Sequence, residues 1–533
     1  MNDSIDVKRH QMWQGAFVLV FAGVMTKILG AVYRVPFQNI VGDVGFYIYQ
    51  QVYPFLGIAV MLSTSGFPVI ISKLMNDYGE KNSGKILKIA ALFLSSVGLI
   101  LFILLYAGAV PIARFMGDIQ LALLIQVAAF AFLLFPFAAL LRGYFQGISY
   151  MLPSALSQIS EQLLRVAFLL GLSFWIVKEG YSLYAAGAAA ASGSLAGSMA
   201  ALILLCLFWF KAKKVENKNS EQELDVVGTT AIVKKLLLYS VTICVSSLLL
   251  ILIQLVDALN LYALLSYGLA DEEAKRLKGI YDRGQPLIQL GTVFAVSIAA
   301  SLVPYISKAV KENEMSLLKE KITSSLKLSL VIGTGASAGL ICILEPVNMM
   351  LFRNTEGTAA LQIFSCSIFF TSIAVTAAAV LQGAGNTVFP AISVCAGIAA
   401  KWILNSVLVP SCGIEGASLA TVISFAAVAG LNLFRLWQKG WLKNLGSSIF
   451  PLLSSALLMS VVLLAYLSIC SMVFPEAGRG IAAVESLSAV AIGGAVFIYC
   501  MMNMNIFTDE ELNSVPFGSK LSKFKRRREQ NGR

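Results

Sequence analysis

The sequence reads PVIISK at residues 68–73 and PYISK at residues 304–308. Each segment closes a long apolar run, and the two stand about 236 residues apart. A second pair keeps that offset: Gln146-Gly147 precedes Pro153 and Ala155, and Gln382-Gly383 precedes Pro390 and Ala391. Either match alone is within reach of chance, but a shared offset in the same order of runs is not easily so. Six apolar runs separate the copies, and an even number of crossings preserves orientation. The expectation is a parallel repeat, its halves related by an axis along a membrane normal.

The membrane itself follows from composition. Of 533 residues, 58% are hydrophobic and only 13% charged, against about 25% charged in soluble domains. Runs of about 20 apolar residues, each able to cross the hydrocarbon as a helix, recur along the chain. The short alternating segments of a transmembrane β-barrel are absent. The fold class expected is an all-α polytopic membrane protein with fourteen transmembrane helices. The spans are placed at 13–33, 44–72, 87–110, 121–141, 153–177, 184–210, 236–265, 285–307, 324–352, 359–381, 388–411, 413–434, 448–473 and 481–506. The first contains Lys27 and lacks a small-residue cleavage site, so it reads as a retained helix.

With the N-terminus inside, roughly three times as many Lys and Arg fall on the inner side as on the outer. That asymmetry puts both termini in the cytoplasm. The division expected is an N-lobe at 1–210, a polar linker at 211–235, a C-lobe at 236–440, a final helix pair at 441–507 and a basic tail at 508–533. The tail run KFKRRR (523–528) reads as a topology anchor, with binding to anionic lipid headgroups as the alternative. Eight scattered cysteines and a single histidine, His10, offer neither a disulfide framework nor a metal site. No Walker motif is present, and no cofactor or nucleic-acid partner is expected.

Ionisable groups at membrane depth are costly and mark function. Lys27 lies well inside the first span, and Arg34 ends it, where snorkelling to the outer interface is the plain alternative. Glu161 and Arg165 share a helix face at i, i+4, as mutual neutralisation or as cavity charges. Asp257, Lys401, Asn405 and Thr421 lie at matched depth in three spans, and an Asp257–Lys401 pair would relieve two desolvation costs together. The stretch KGIYDRGQPLIQL (278–290) adds Asp282 and Arg283 at the end of an outer loop. Acidic Asp271, Glu272 and Glu273 beside Lys275, Arg276 and Lys278 make much of that loop a solvated polar turn. The acid–base balance of these groups is positive, and guanidinium forks suit phosphate or pyrophosphate.

Several of these residues sit in motifs of a known family. TKILGAVYR (26–34), Gly42, YQQVYP (49–54) and SGFP (65–68) resemble the opening of the SpoVB-like and MurJ-like polysaccharide exporters of the multidrug/oligosaccharidyl-lipid/polysaccharide superfamily. LRGYFQG (141–147), Pro153-Ser154-Ala155, Glu161, Gln162 and Arg165 are similar to the SpoVB branch. Tyr281-Asp282-Arg283 with Pro286, and LVPYISK (302–308), look like the eighth span of MurJ-type flippases. The resemblance implies two six-helix lobes, a final pair and a cationic cavity. It further implies transfer of undecaprenyl-pyrophosphate-linked sugars to the outer leaflet of the bacterial cytoplasmic membrane. By position, Arg283 matches a cavity arginine that contacts pyrophosphate, and Lys27 stands where arginine is common. Arg34 is displaced by one residue from another cavity arginine. The second-span arginine of MurJ has no counterpart in MLSTSG (61–66). Some relatives bind sodium through an aspartate in span 7 and polar groups in spans 11 and 12. Asp257, Asn405 and Thr421 fall at those places, while Lys401 replaces a neutral ligand and is expected to act as a tethered cation.

The leading expectation is therefore a non-enzymatic flippase for lipid II or a related polyprenyl-pyrophosphate-linked glycan, with membrane lipids as surroundings. An ion-coupled multidrug antiporter of the same superfamily would favour an acidic cavity. A membrane glycosyltransferase would call for clustered acids or a large external loop. A non-transporting partner of cell-wall synthesis enzymes is the remaining alternative.

Overall fold

The computed structural model describes residues 18–79, 82–216, 228–312, 314–442, 446–475, 478–504 and 506–507. The basic tail, His10 and the centre of the polar linker lie outside the described residues. All regular structure among the described residues is helical. The helices used below are α1 (18–32), α2 (Arg34–Met61), α3 (Phe67–Tyr78), α4 (Ser83–Ala107), α5 (Ala131–Gly147), α6 (Leu152–Lys178), α7 (Leu183–Glu216) and α8 (Thr229–Tyr239). They continue as α9 (Leu249–Ser266), α10 (Asp271–Asp282), α11 (Gly284–Lys311), α12 (Met315–Phe352), α13 (Ser367–Gly383), α14 (Val388–Gln438), α15 (Gly446–Val473) and α16 (Arg479–Asn503).

Twelve stretches of the described chain are long and apolar enough to cross a membrane. Two of them, Val18–Tyr78 and Val388–Gln438, run to 61 and 51 residues. At 1.5 Å per residue, either would be more than twice the hydrocarbon thickness if straight. Neither is straight. Gly42 and Gly413 take φ of 69° and 56°, values that favour a residue without Cβ. Past Gly413 the chain returns on itself, so that Lys401 Nζ reaches Thr421 Oγ1 at 2.7 Å. Around Gly42, likewise, the Tyr33 and Tyr49 hydroxyls meet at 3.1 Å. Two wide π-helical turns, Leu62–Gly66 and Ser240–Cys244, interrupt the helices on either side of them and abut. A Cβ on Gly66 would stand 3.0 Å from Cys244 Sγ. Such turns free backbone carbonyls and recur at functional sites.

Contacts divide the chain into two compact units, residues 1–293 with 385–428, and residues 294–384 with 429–533. In the second, α12 packs on α13 and on the α15–α16 hairpin. Its buried polar side chains among the described residues are uncharged, and some meet in pairs, such as the Ser329 and Thr376 hydroxyls at 2.6 Å. In the first unit the small-residue run AAGAAAASGSLAG (185–197) lets α7 lie close against α6, as small residues do between membrane helices.

Burial is inverted relative to a soluble protein. Leu92, Phe210, Leu457 and Val484 face outward, while Arg34, Arg142, Lys278, Arg283 and Lys401 are almost wholly enclosed. Every buried charge among the described residues belongs to the first unit. The chain is a multi-pass membrane protein, and its functional chemistry is concentrated there.

Candidate functional site

The loop expected as a solvated turn is instead the helix α10. Its three leading acids, exposed Asp271 and Glu272 and half-buried Glu273, complement the helix dipole. Lys275 lies 2.8 Å from Asp271 and 3.8 Å from Asp118. Asp118 in turn accepts hydrogen bonds from the hydroxyls of Tyr47 at 3.2 Å and Tyr184 at 2.5 Å. The far face of α10 is buried. Gly279 packs directly on the Asp43 backbone, leaving no room for a Cβ. Lys278 and Asp282, at i, i+4, form a closed pair with Nζ 2.6 Å from both carboxylate oxygens. Burial raises the Asp282 carboxyl to about 6, against the opposing pull of Lys278.

Asp282 thus serves Lys278 and does not orient Arg283. The Arg283 guanidinium instead forks onto Asp43, with Nε to Oδ1 at 3.0 Å and Nη2 to Oδ1 and Oδ2 at 2.7 Å each. Between those residues, Tyr281 turns inward. Its hydroxyl donates to Asp257 Oδ2 at 2.8 Å and meets Thr421 Oγ1 at 2.9 Å. The Asp257–Lys401 pair is present at 2.7 Å. Lys401 also donates to Thr421 Oγ1 at 2.7 Å and to the Ala417 carbonyl at 2.9 Å. Its three N–H bonds are thereby all used. Asn405 donates to Asp257 Oδ1 at 3.0 Å and to Asn260 Oδ1 at 2.9 Å. The four residues read at matched depth therefore belong to one buried network, joined to α10 through Tyr281.

A second cluster lies on α5 and α6. Arg142, counted from sequence among the inner-side charges, is fully buried because its helix runs on to Gly147. It donates to Glu161 Oε2 at 2.7 Å, while Arg165 reaches Glu161 Oε1 at 3.1 Å. Glu161 therefore neutralises two arginines, not one.

The third group has no ion-paired acid among the described residues. Arg34 is enclosed, not snorkelled: its guanidinium lies 4.4 Å above the Tyr53 ring. Gln289, its amide oxygen turned toward the guanidinium, accepts from Nη1 and Nη2 at 3.2 and 3.3 Å. Lys27 is half-buried and has neither ion pair nor hydrogen bond among the described residues. A Cβ on Gly30, one turn beyond Lys27, would stand 3.5 Å from Gln162 Nε2, which places α1 against α6. Across the three groups, Lys27, Arg34, Arg142, Arg165, Lys278, Arg283 and Lys401 face Asp43, Glu161, Asp257 and Asp282. The uncompensated charge is Lys27, Arg34 and one of the two arginines on Glu161.

Sequence reasoning missed Asp43, Arg142 and the inward role of Lys278. Lys278 and Asp282 had the i, i+4 signal, and Arg142 stands inside the quoted LRGYFQG. Asp43 follows Gly42 directly but meets Arg283 only through the tertiary fold.

The family pattern described as "Polysaccharide biosynthesis protein" matches residues 12–310, more than half of the chain. The chain belongs to this family. A second pattern, "Lipid II flippase MurJ", matches residues 280–505. Among relatives of this polysaccharide biosynthesis protein, the uncharacterized membrane protein YabM of Bacillus subtilis (strain 168) is 76% identical over 532 residues, covering 100% of both chains. The lipid II flippase MurJ of the same organism is 26% identical over 521 residues, covering 92% of this chain and 95% of its own. A solved structure of lipid II flippase MurJ in an inward closed conformation superposes with a TM-score of 0.66 at 15% identity. It covers 92% of this chain and 99% of that one. The family is that of polysaccharide biosynthesis proteins, and the fold is that of the solved lipid II flippase MurJ.

Proposed function

We propose that this polysaccharide biosynthesis protein flips an undecaprenyl-pyrophosphate-linked sugar, lipid II or a related wall or surface-polysaccharide intermediate, across the bacterial cytoplasmic membrane. In this reading it has fourteen spans and cytoplasmic termini. The six spans of the N-lobe (1–210) and the six of the C-lobe (236–440) alternate access around the buried charges. The observation that carries the reading is that neither Lys27 nor Arg34 has an ion pair among the described residues, beside the doubly claimed Glu161. A buried positive surplus calls for an anionic partner, and a pyrophosphate diester is a dianion of the right geometry for a guanidinium fork. Lys27, Arg34 and Arg165 make first contact. Arg283 becomes available only when it releases Asp43. Lys401 occupies the place of a coupling cation among the oxygens of Asp257, Thr421 and Ala417.

The multidrug antiporter alternative needs a free membrane carboxylate to exchange for cations. Asp257 is held by Lys401, Tyr281 and Asn405, which argues against it. The test is complementation of a lipid II flippase depletion. The wild-type chain is expected to restore growth, and Arg34→Ala with Lys27→Ala to abolish that rescue at equal membrane abundance. Rescue undiminished in the double variant would remove the proposed site. Failure of the wild type would exclude lipid II as an adequately carried substrate in that host.

A further inference from the structure

Arg142 has no role in the reading so far, yet each of its three guanidinium nitrogens donates to a buried partner. Nε donates to Ser157 Oγ at 2.9 Å, and Nη1 to the carbonyl and hydroxyl of Ser63 at 3.1 Å each. Nη2 donates to Glu161 Oε2 at 2.7 Å. Arg165 is held more loosely. Nη2 lies 3.1 Å from Glu161 Oε1, an oxygen shared with Ser198 Oγ at 3.1 Å. Nη1 reaches Gln162 Oε1 at 3.2 Å, and Nε has no partner among the described residues. The Arg165 charge also lies within reach of the phenols of Tyr33 and Tyr49. Those rings flank Arg34, since Tyr33 precedes it in the chain and Tyr49 adjoins the Tyr53 ring beneath it, centroids 6.0 Å apart.

One carboxylate between two guanidiniums is spent on whichever holds it better. The shorter contact and the full set of further bonds belong to Arg142, and charge-assisted pairs strengthen with both. We infer that Arg142 is a positioning residue for the anion site: by absorbing the Glu161 charge it leaves the Arg165 charge uncompensated beside the phenols that flank Arg34. The inference rests on the reading of this site as a pyrophosphate site. The competing role is purely structural, with Arg142 fastening the Ser63 carbonyl that the π-helical turn sets free.

Charge arithmetic separates the two. The cluster carries a net single positive charge. Arg142→Met reduces it to zero, and Arg142→Met with Glu161→Gln returns it to one without returning any bond to Ser63. Purified full-length protein in detergent is titrated with undecaprenyl pyrophosphate, and thermal unfolding is followed in parallel. Arg142→Met is expected to weaken binding about tenfold, the scale of one charge-assisted hydrogen bond. The double variant is expected to recover most of that loss, and Arg142→Lys to keep most of the wild-type binding. Where Arg142→Met does not fold, Glu161→Gln alone serves: a second uncompensated charge is expected to tighten binding. The inference is overturned if the double variant, folded, binds as poorly as the single one, if Arg142→Met binds like wild type, or if Glu161→Gln fails to tighten. Absence of saturable binding by the wild type would instead overturn the pyrophosphate reading, and the inference with it.

Discussion

At the residue scale, Lys401 is proposed to stand where a coupling cation would bind. Its ammonium donates to the Asp257 carboxylate, the Thr421 hydroxyl and the Ala417 carbonyl, an all-oxygen set of the kind hard cations prefer. A covalently tethered cation there cannot dissociate, so transport should proceed equally in sodium, potassium or choline buffers. Lys401→Ala should lower transport several-fold, because it leaves Asp257 buried without its counter-charge, a loss of about 3–5 kcal/mol in comparable buried pairs. Flux assays across the three salts check both expectations. A sodium requirement in the wild type, together with indifference to Lys401→Ala, would sink the idea. The depth match of Asp257, Lys401, Asn405 and Thr421 was legible in the sequence because helical spacing fixes depth. Tyr281 as their link to α10 was not, since nothing local directs a tyrosine at a loop boundary inward.

At the scale of elements, α10 is the piece whose character changes most between sequence and structure. Its charges read as a polar turn because each acid has a base within a few residues. The fold sorts them into two faces, with Asp271–Glu273 outward and Lys278, Asp282 and Arg283 inward. The Arg283–Asp43 fork spans 240 residues of chain, a separation no periodicity reports. The helix also carries a pH dependence. Lys278, Arg34, Asp257 and Lys401 all face or feel Asp282, and burial lifts its carboxyl from 3.8 to about 6. The folded state therefore holds this proton more tightly than the unfolded chain does. The corresponding stability is fully present below about pH 4 and is lost as pH rises through about 6, a span of about 3 kcal/mol. Thermal unfolding in detergent from pH 4 to 7.5 should fall more steeply for wild type than for Asp282→Asn. Parallel profiles would show that Asp282 titrates elsewhere.

At the scale of the whole molecule, the membrane class and the helical runs were legible from hydropathy alone, because the bilayer admits so few backbone solutions. The two long stretches kinked at Gly42 and Gly413 are each divided into two spans in the proposed count of fourteen. The site was legible only as a list of costly charges. Which acid answers which base depends on the tertiary fold, and that pairing leaves Lys27, Arg34 and one Glu161-bound arginine in surplus. The most direct test of the account is reconstitution of the purified chain into vesicles carrying fluorescent lipid II in both leaflets. Reduction of the exposed probe should then quench lipid that the protein delivers to the outer leaflet. The account predicts quenching beyond the half-maximal level of protein-free vesicles, lost in Arg34→Ala with Lys27→Ala. Quenching that stays at the protein-free level for lipid II and for other undecaprenyl-pyrophosphate glycans would contradict it.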